Sequence, residues 1–269
     1  MLKKFSRRGI LHFGGTCKLI WKLAWHNFIN RYRNSYMGFL WTVAYPLTSA
    51  GVLWFVFSQA FKVQPPKDGT PFIVWLLGGM VAWNFFADAL VCMTGCIGGN
   101  AYMLKKRSFD IALLPLIYAL SSFFSNCVFL GIVVAIHIGY GVLPSLYWLQ
   151  LFYYAAYMLV LSLGIGILTS AIAVFVPDVQ NMVNIFVQVF FWATPVFWSV
   201  SMLPPQYAFW GRLNPAAYMV EGYRAALLGQ TVFWDDPGRA VLYWLFALTL
   251  LFFAIRCMRR MKPHFADIL

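Results

Sequence analysis

Residues 71–93 read PFIVWLLGGMVAWNFFADALVCM, an apolar run carrying one charge, Asp88. A helix that crosses about 30 Å of hydrocarbon needs about 20 mostly apolar residues, because every backbone N–H and C=O must be bonded within the segment. This run meets that need. Working outward from it, five more stretches do so: Met37 to Phe61, Ile111 to His137, Leu146 to Val176, Met182 to Val200 and Arg239 to Ile255. The chain as a whole agrees, with 62% hydrophobic and 10% charged residues over 269 positions and a mean hydropathy of +0.72, which is too apolar for a water-soluble domain of this length. No strand-like alternation or internal repeat interrupts the pattern. The expectation is an all-α membrane protein of six transmembrane helices in a single domain.

Charge placement orients it. The net charge of +12 lies outside the apolar runs. The N-terminal arm carries Lys3, Lys4, Arg7, Arg8, Lys18, Lys22, Arg31 and Arg33. The second connection adds Lys105, Lys106 and Arg107, and the C-terminal tail Arg256, Arg259, Arg260 and Lys262. The other side has only Lys62, Lys67, Arg212, Arg224 and Arg239. By the excess of Lys and Arg on cytoplasmic loops, both termini of a multi-pass protein are expected in the cytoplasm. Topology and contact with anionic lipid account for the basic balance, so no nucleic-acid partner is expected.

Four regions follow. Residues 1–36 form a cytoplasmic arm whose segment 16–36 places Leu19, Leu23, Trp25, Phe28, Ile29 and Tyr32 near one face, as an amphipathic helix at the membrane interface. Residues 37–200 hold five spans. Residues 201–237, polar and broken by proline yet rich in aromatics, read as an extracytoplasmic re-entrant segment, tolerated at membrane depth where protein or water covers it. Residues 238–269 give the sixth span and a tail. The basic N-terminus is too weakly apolar for a cleaved signal and is expected to be retained.

Chemistry is expected elsewhere. The four histidines and eight carboxylates form no HExxH pattern, GxSxG is absent, and five cysteines without paired CxxC units suggest neither zinc nor a disulfide framework. There is no GxxxxGK[ST] loop, so any ATP and Mg must be bound by a separate ATPase, and this chain needs no cofactor. A membrane acyl- or glycosyltransferase remains the enzymatic alternative and predicts activity without an ATPase. Asp88, charged within a span, is expected to pair, protonate or face the bundle interior, with a structural hydrogen bond preferred to a proton relay.

The segments Arg31-Tyr32-Arg33-Asn34-Ser35-Tyr36-Met37-Gly38-Phe39-Leu40-Trp41 and Tyr45-Pro46-Leu47 are followed by Pro177-Asp178-Val179-Gln180-Asn181, Thr194-Pro195-Val196, Asn214-Pro215, Glu221 and Arg224. In order and spacing these resemble the integral-membrane permease subunits of ABC-2 type exporters, in the branch that exports O-antigen, capsular polysaccharide and teichoic acid. Pro177 departs from the usual arginine before Asp-Val, which puts any cytoplasmic ion pair made by that arginine in doubt. The resemblance implies a bacterial inner-membrane exporter in which two copies of this chain flank a path for an undecaprenyl-type lipid-linked glycan. Two cytoplasmic ABC ATPase subunits would drive it. Export of a small hydrophobic drug or lipid is the alternative within the same architecture.

Three groups of residues are expected to matter. Tyr45, Trp54 and Phe55 in the first span and Phe186, Phe190 and Trp192 in the fifth lie at mid-membrane depth, in the two spans that the resemblance sets beside the path, where ring faces can pack on sugar C–H faces. Trp75, Trp148, Trp234 and Trp244 are assigned to the interfacial belt or to lipid contact. Asn100, Tyr102, Met103, Leu104, Lys105, Lys106 and Arg107, between the second and third spans, form an apolar and basic foot for the ATPase. Asn214, Pro215, Glu221 and Arg224 are expected at an extracytoplasmic gate, with Glu221 and Arg224 spaced to pair on one helical face.

Overall fold

A computed structural model describes residues 3–33, 36–62, 69–105 and 109–268, and every regular element among them is helical. Four helices are long and apolar enough to cross a membrane: Phe72–Thr94, Ile111–Gly139, Leu146–Phe175 and Pro237–Phe265. These match four of the six expected stretches closely. The principal segments are α1 (Lys3–Tyr32), α2 (Trp41–Trp54), α3 (Phe72–Thr94), α4 (Leu114–Gly139), α5 (Gln150–Phe175), α6 (Val179–Ala193), α7 (Pro205–Leu213), α8 (Pro215–Leu228) and α9 (Pro237–Met261).

The first and fifth expected stretches are irregular. Pro46 lies inside α2 and has no N–H to give the Thr42 carbonyl one turn earlier. Past Trp54 the helix widens into a π segment, Phe55–Ala60. Together the two segments reach about 30 Å at about 1.5 Å per residue. The fifth stretch was expected to run to Val200, but α6 stops at Ala193. Pro195 is the cause: the residue before a proline is driven out of the helical region, and Thr194 is extended at φ −96°, ψ 140°.

Helix α3 is the centre of the bundle, packed by α2, α4, α5, α6 and α8, and its side chains from Phe72 to Met93 are mostly buried. Its nearly continuous hydrophobicity follows from that position, the face carrying Asn84 and Asp88 being the exception. Helix α9 packs chiefly on α5 and leaves Val241, Leu245, Phe252 and Phe253 exposed. In a bilayer such a face costs nothing to expose to acyl chains.

A second cluster gathers Ala24 and Phe28 of α1, Ile97, Ile111, Leu114, Phe124, Val174, Met258 and Phe265 at one end of the bundle. The second half of α1 and the segment that ends α9 therefore meet there. The apolar face expected on α1 divides in two. Ile20, Leu23, Ala24, Phe28 and Tyr32 pack inward, whereas Leu19, Trp25 and Ile29 are exposed. Helix α1 meets α4 from both rows, through ring contacts of Phe28 and of Trp25 with Phe124.

Candidate functional site: a polar cavity, an aromatic face and an arginine-tied helix break

Helices α2, α3, α4 and α6 line an open cavity of about 560 Å³. Tyr45 and Thr42 reach it from α2, Asn84 and Asp88 from α3, Ser122 and Asn126 from α4, and Asn184 and Gln188 from α6. Asp88 is paired: Arg31 of α1 places Nη1 2.8 Å from its Oδ2 and donates from Nη2 to Ser122 Oγ at 3.1 Å. The carboxylate thus joins α1 to the bundle, in keeping with the structural hydrogen bond preferred for it. By contrast, Thr42 Oγ1, Asn84 Nδ2 and Asn126 Oδ1 are buried without a partner. An unpaired buried polar group costs about 1–3 kcal/mol.

Of the six aromatic residues expected along a path, Phe186 and Phe190 stack, with centroids 4.7 Å apart and planes at 21°. Tyr45 is 72% exposed and opens on the same cavity as α6 residues 184, 187 and 188. Trp54 and Phe55 stand apart from it, at the junction of α2 with the π segment, and both are exposed. Trp192 is exposed and meets Phe197 edge-on at 4.9 Å. Five of these rings, Tyr45, Trp54, Phe55, Phe186 and Trp192, are therefore exposed, while Phe190 is half-buried.

The gate residues form a different constellation from the one expected. Glu221 does not pair with Arg224; it accepts from Arg239 Nη2 at 2.9 Å. Arg224 is buried and turns inward, its Nε donating to Trp75 O at 3.1 Å and its Nη2 to Pro195 O and Val196 O at 3.1 and 2.7 Å. Its guanidinium lies 3.6 Å from the Trp75 ring centroid. Trp75 is accordingly a buried partner of this arginine and not a lipid-facing belt residue. The planar fork of arginine suits this task, bonding divergent carbonyls while stacking on indole. Gly79 makes room, because a Cβ there would strike Arg224 Nη2. Gly222 does the same for the Tyr154 ring. Asn214 caps α8, accepting from Ala216 N at 2.9 Å, and donates to Thr194 Oγ1 at 3.1 Å. The Pro215 carbonyl accepts from Tyr157 Oη at 3.2 Å. The break after α6 is thus held by α8, which packs on α3 and α5.

At the opposite end, a 3₁₀ segment Gly98–Lys105 kinks at Asn100, whose Nδ2 donates to Cys96 O and Tyr118 Oη, both at 2.8 Å. Tyr102 is exposed. The side chains of Met103, Leu104 and Lys105, and all of Lys106 and Arg107, lie outside the described residues. Nearby, Asp110 pairs with Lys262 at 2.8 Å. Partial burial pushes the Asp110 carboxyl up, but the Lys262 ammonium and the Ala112 N–H outweigh this and hold it below the usual range.

Arg31, Asn84, Asn126 and Arg239 were missed as site residues by sequence reasoning. A signal was present. Asn84 and Asp88, Ser122 and Asn126, and Asn184 and Gln188 each stand four apart, which puts polar groups on one face of three apolar helices.

The profile of the ABC-2 type transporter family matches residues 18–228. The chain belongs to that family. Among the relatives of this ABC-2 chain, two proteins of Klebsiella pneumoniae, each named O-antigen export system permease protein RfbA, are 26% and 27% identical over 240 and 241 residues, covering 89% of this chain and 90% of each relative. A protein of the same name from Myxococcus xanthus is 24% identical over 197 residues, covering 72% of this chain and 74% of its own length. The resemblance carried by the Arg-Tyr-Arg-Asn segment, Asn-Pro and the intervening motifs is a family relationship.

Proposed function

We propose that this ABC-2 chain is the membrane-spanning subunit of an ATP-driven exporter of lipid-linked polysaccharide, of the O-antigen, capsular or teichoic acid type, in the bacterial inner membrane. The observation that carries this reading is likeness over about nine-tenths of both chains to permeases named for O-antigen export. Geometry adds support. Exposed rings on α2 and α6 stand beside a cavity rich in amide and hydroxyl groups, a combination suited to a polymer of sugars.

In this reading α2 with its π continuation and α6 with the bend after it are the first and fifth of six spans, and the end where the second half of α1 meets the close of α9 faces the cytoplasm. Residues 201–237 form an outer re-entrant cap. A second copy covers the α2 and α6 faces, and two ATPase subunits press on the segment around Tyr102. ATP and Mg belong to those subunits, and this chain contributes transport without catalysis.

Deletion of the gene, with complementation from a plasmid, tests the reading. Surface polysaccharide resolved by gel electrophoresis should vanish in the deletion strain while lipid-linked polymer accumulates inside, and both should revert on complementation. Unchanged surface polymer, together with loss of efflux of a small hydrophobic compound, would replace this reading with the drug or lipid exporter.

A further inference from the structure

The cavity between α2, α3, α4 and α6 contains more unpaired polar groups than a structural void needs. Three buried polar atoms on three different helices, Thr42 Oγ1, Asn84 Nδ2 and Asn126 Oδ1, lack a partner, and all three residues line it. Asn184 and Gln188 add amides from the fourth helix. At about 560 Å³ the space lies within the range of small-ligand sites.

We propose that this cavity is a binding site for a neutral, hydroxyl-rich glycosyl unit of the exported polymer, an inference that rests on the export reading above. The chemistry selects among occupants. An acyl chain would leave the three polar atoms unpaired. A phosphate or diphosphate would meet Asp88, the one charged residue among the described residues lining the cavity, while Arg31 is already committed to that carboxylate. A metal ion would find a single carboxylate, and no group of three or more ligating side chains occurs among the described residues. Sugar hydroxyls both donate and accept, which matches a set containing an amide N–H, an amide oxygen and a threonine hydroxyl. Tyr45 lines the same cavity as Asn84 and Asn126, so a glycosyl unit stacked on that ring can hydrogen-bond to α3 and α4.

The test uses the permease–ATPase complex in lipid nanodiscs and reads hydroxyl-radical labelling of Trp41 and Tyr45 by mass spectrometry. Three probes are compared: glycan released by mild acid from the host's lipid-linked polymer, the lipid carrier left by that treatment, and inorganic pyrophosphate. Protection of both rings by released glycan alone is the expected result, and Asn126→Leu should raise the glycan concentration required by about tenfold, the factor for one lost hydrogen bond. If Asn126→Leu does not assemble, Asn184→Leu makes the same test from α6. Protection by carrier or pyrophosphate in place of glycan would overturn the proposal, and equal labelling under all three probes would reduce the cavity to a water-filled space. The gene deletion separates the two readings. Lost surface polymer with no glycan protection rejects this site alone, whereas intact surface polymer rejects export.

Discussion

Arg31 Nη1 and Asp88 Oδ2 lie 2.8 Å apart across 57 residues of sequence, tying α1 to the central helix of the bundle. Arg31→Ala and Asp88→Ala should each loosen α1. The double substitution should cost less than the sum, with a coupling of about 0.5–3 kcal/mol. Thermal unfolding of the four proteins in detergent measures the cycle, and faster proteolysis within residues 3–33 reports the loosening. Strict additivity would mean that the pair contributes nothing.

Arg224→Met should be the most damaging substitution in α8. It strands the Pro195 and Val196 carbonyls in a buried site and should destabilise the protein by about 2–5 kcal/mol. Arg224→Lys should recover little, because an ammonium cannot stack on Trp75 and bond divergent carbonyls at once. Glu221→Gln, in a pair exposed by 28–30%, should cost about 1 kcal/mol or less. Thermal denaturation of purified protein ranks the three, and equal losses for Arg224→Met and Glu221→Gln would contradict the assignment.

The Asp110–Lys262 contact should depend on pH in one direction. The folded carboxyl titrates below its unfolded value, so its contribution is present at neutral pH and disappears as pH falls below the unfolded value and through the lowered folded one. Lys262→Met should raise the Asp110 titration and cost no more than about 1 kcal/mol, since both groups are substantially exposed. Carbon-detected titration of Asp110 provides the check, and no upward movement in Lys262→Met would exclude the contact in solution.

Tyr45→Ala and Trp54→Ala should slow polymer export while leaving expression and ATPase association intact. The corresponding Phe substitutions should be milder, because the stacking face survives. Pulse labelling of surface polymer measures the rate. Wild-type export in both Ala variants would make these exposed rings packing residues for a partner copy or lipid.

The run from Phe72 to Met93 was legible because a central helix is apolar nearly all round, and the three other long spans were legible because faces turned to acyl chains are apolar as well. What composition could not supply was the partner of each polar residue. Glu221 and Arg224 stand three apart on a helix, which suggested a pair, yet tertiary structure brings Arg239 to the first and backbone carbonyls to the second. Trp75 looked like a belt residue because its burial is decided by α8, nearly 150 positions later. The helix stop at Ala193 was written in Pro195 but hidden by the apolar residues that continue to Val200.

The helix break that Arg224 completes has a consequence for biogenesis. Pro195 and Val196 leave the ribosome 29 and 28 residues before the arginine that receives their carbonyls, an interval of a few seconds at about 5–20 residues per second. Until α8 is made, those carbonyls need water or the insertion machinery as partners. Arg224 is made before α9 begins at Pro237, so the carbonyls after α6 gain their partner before the last long apolar helix emerges.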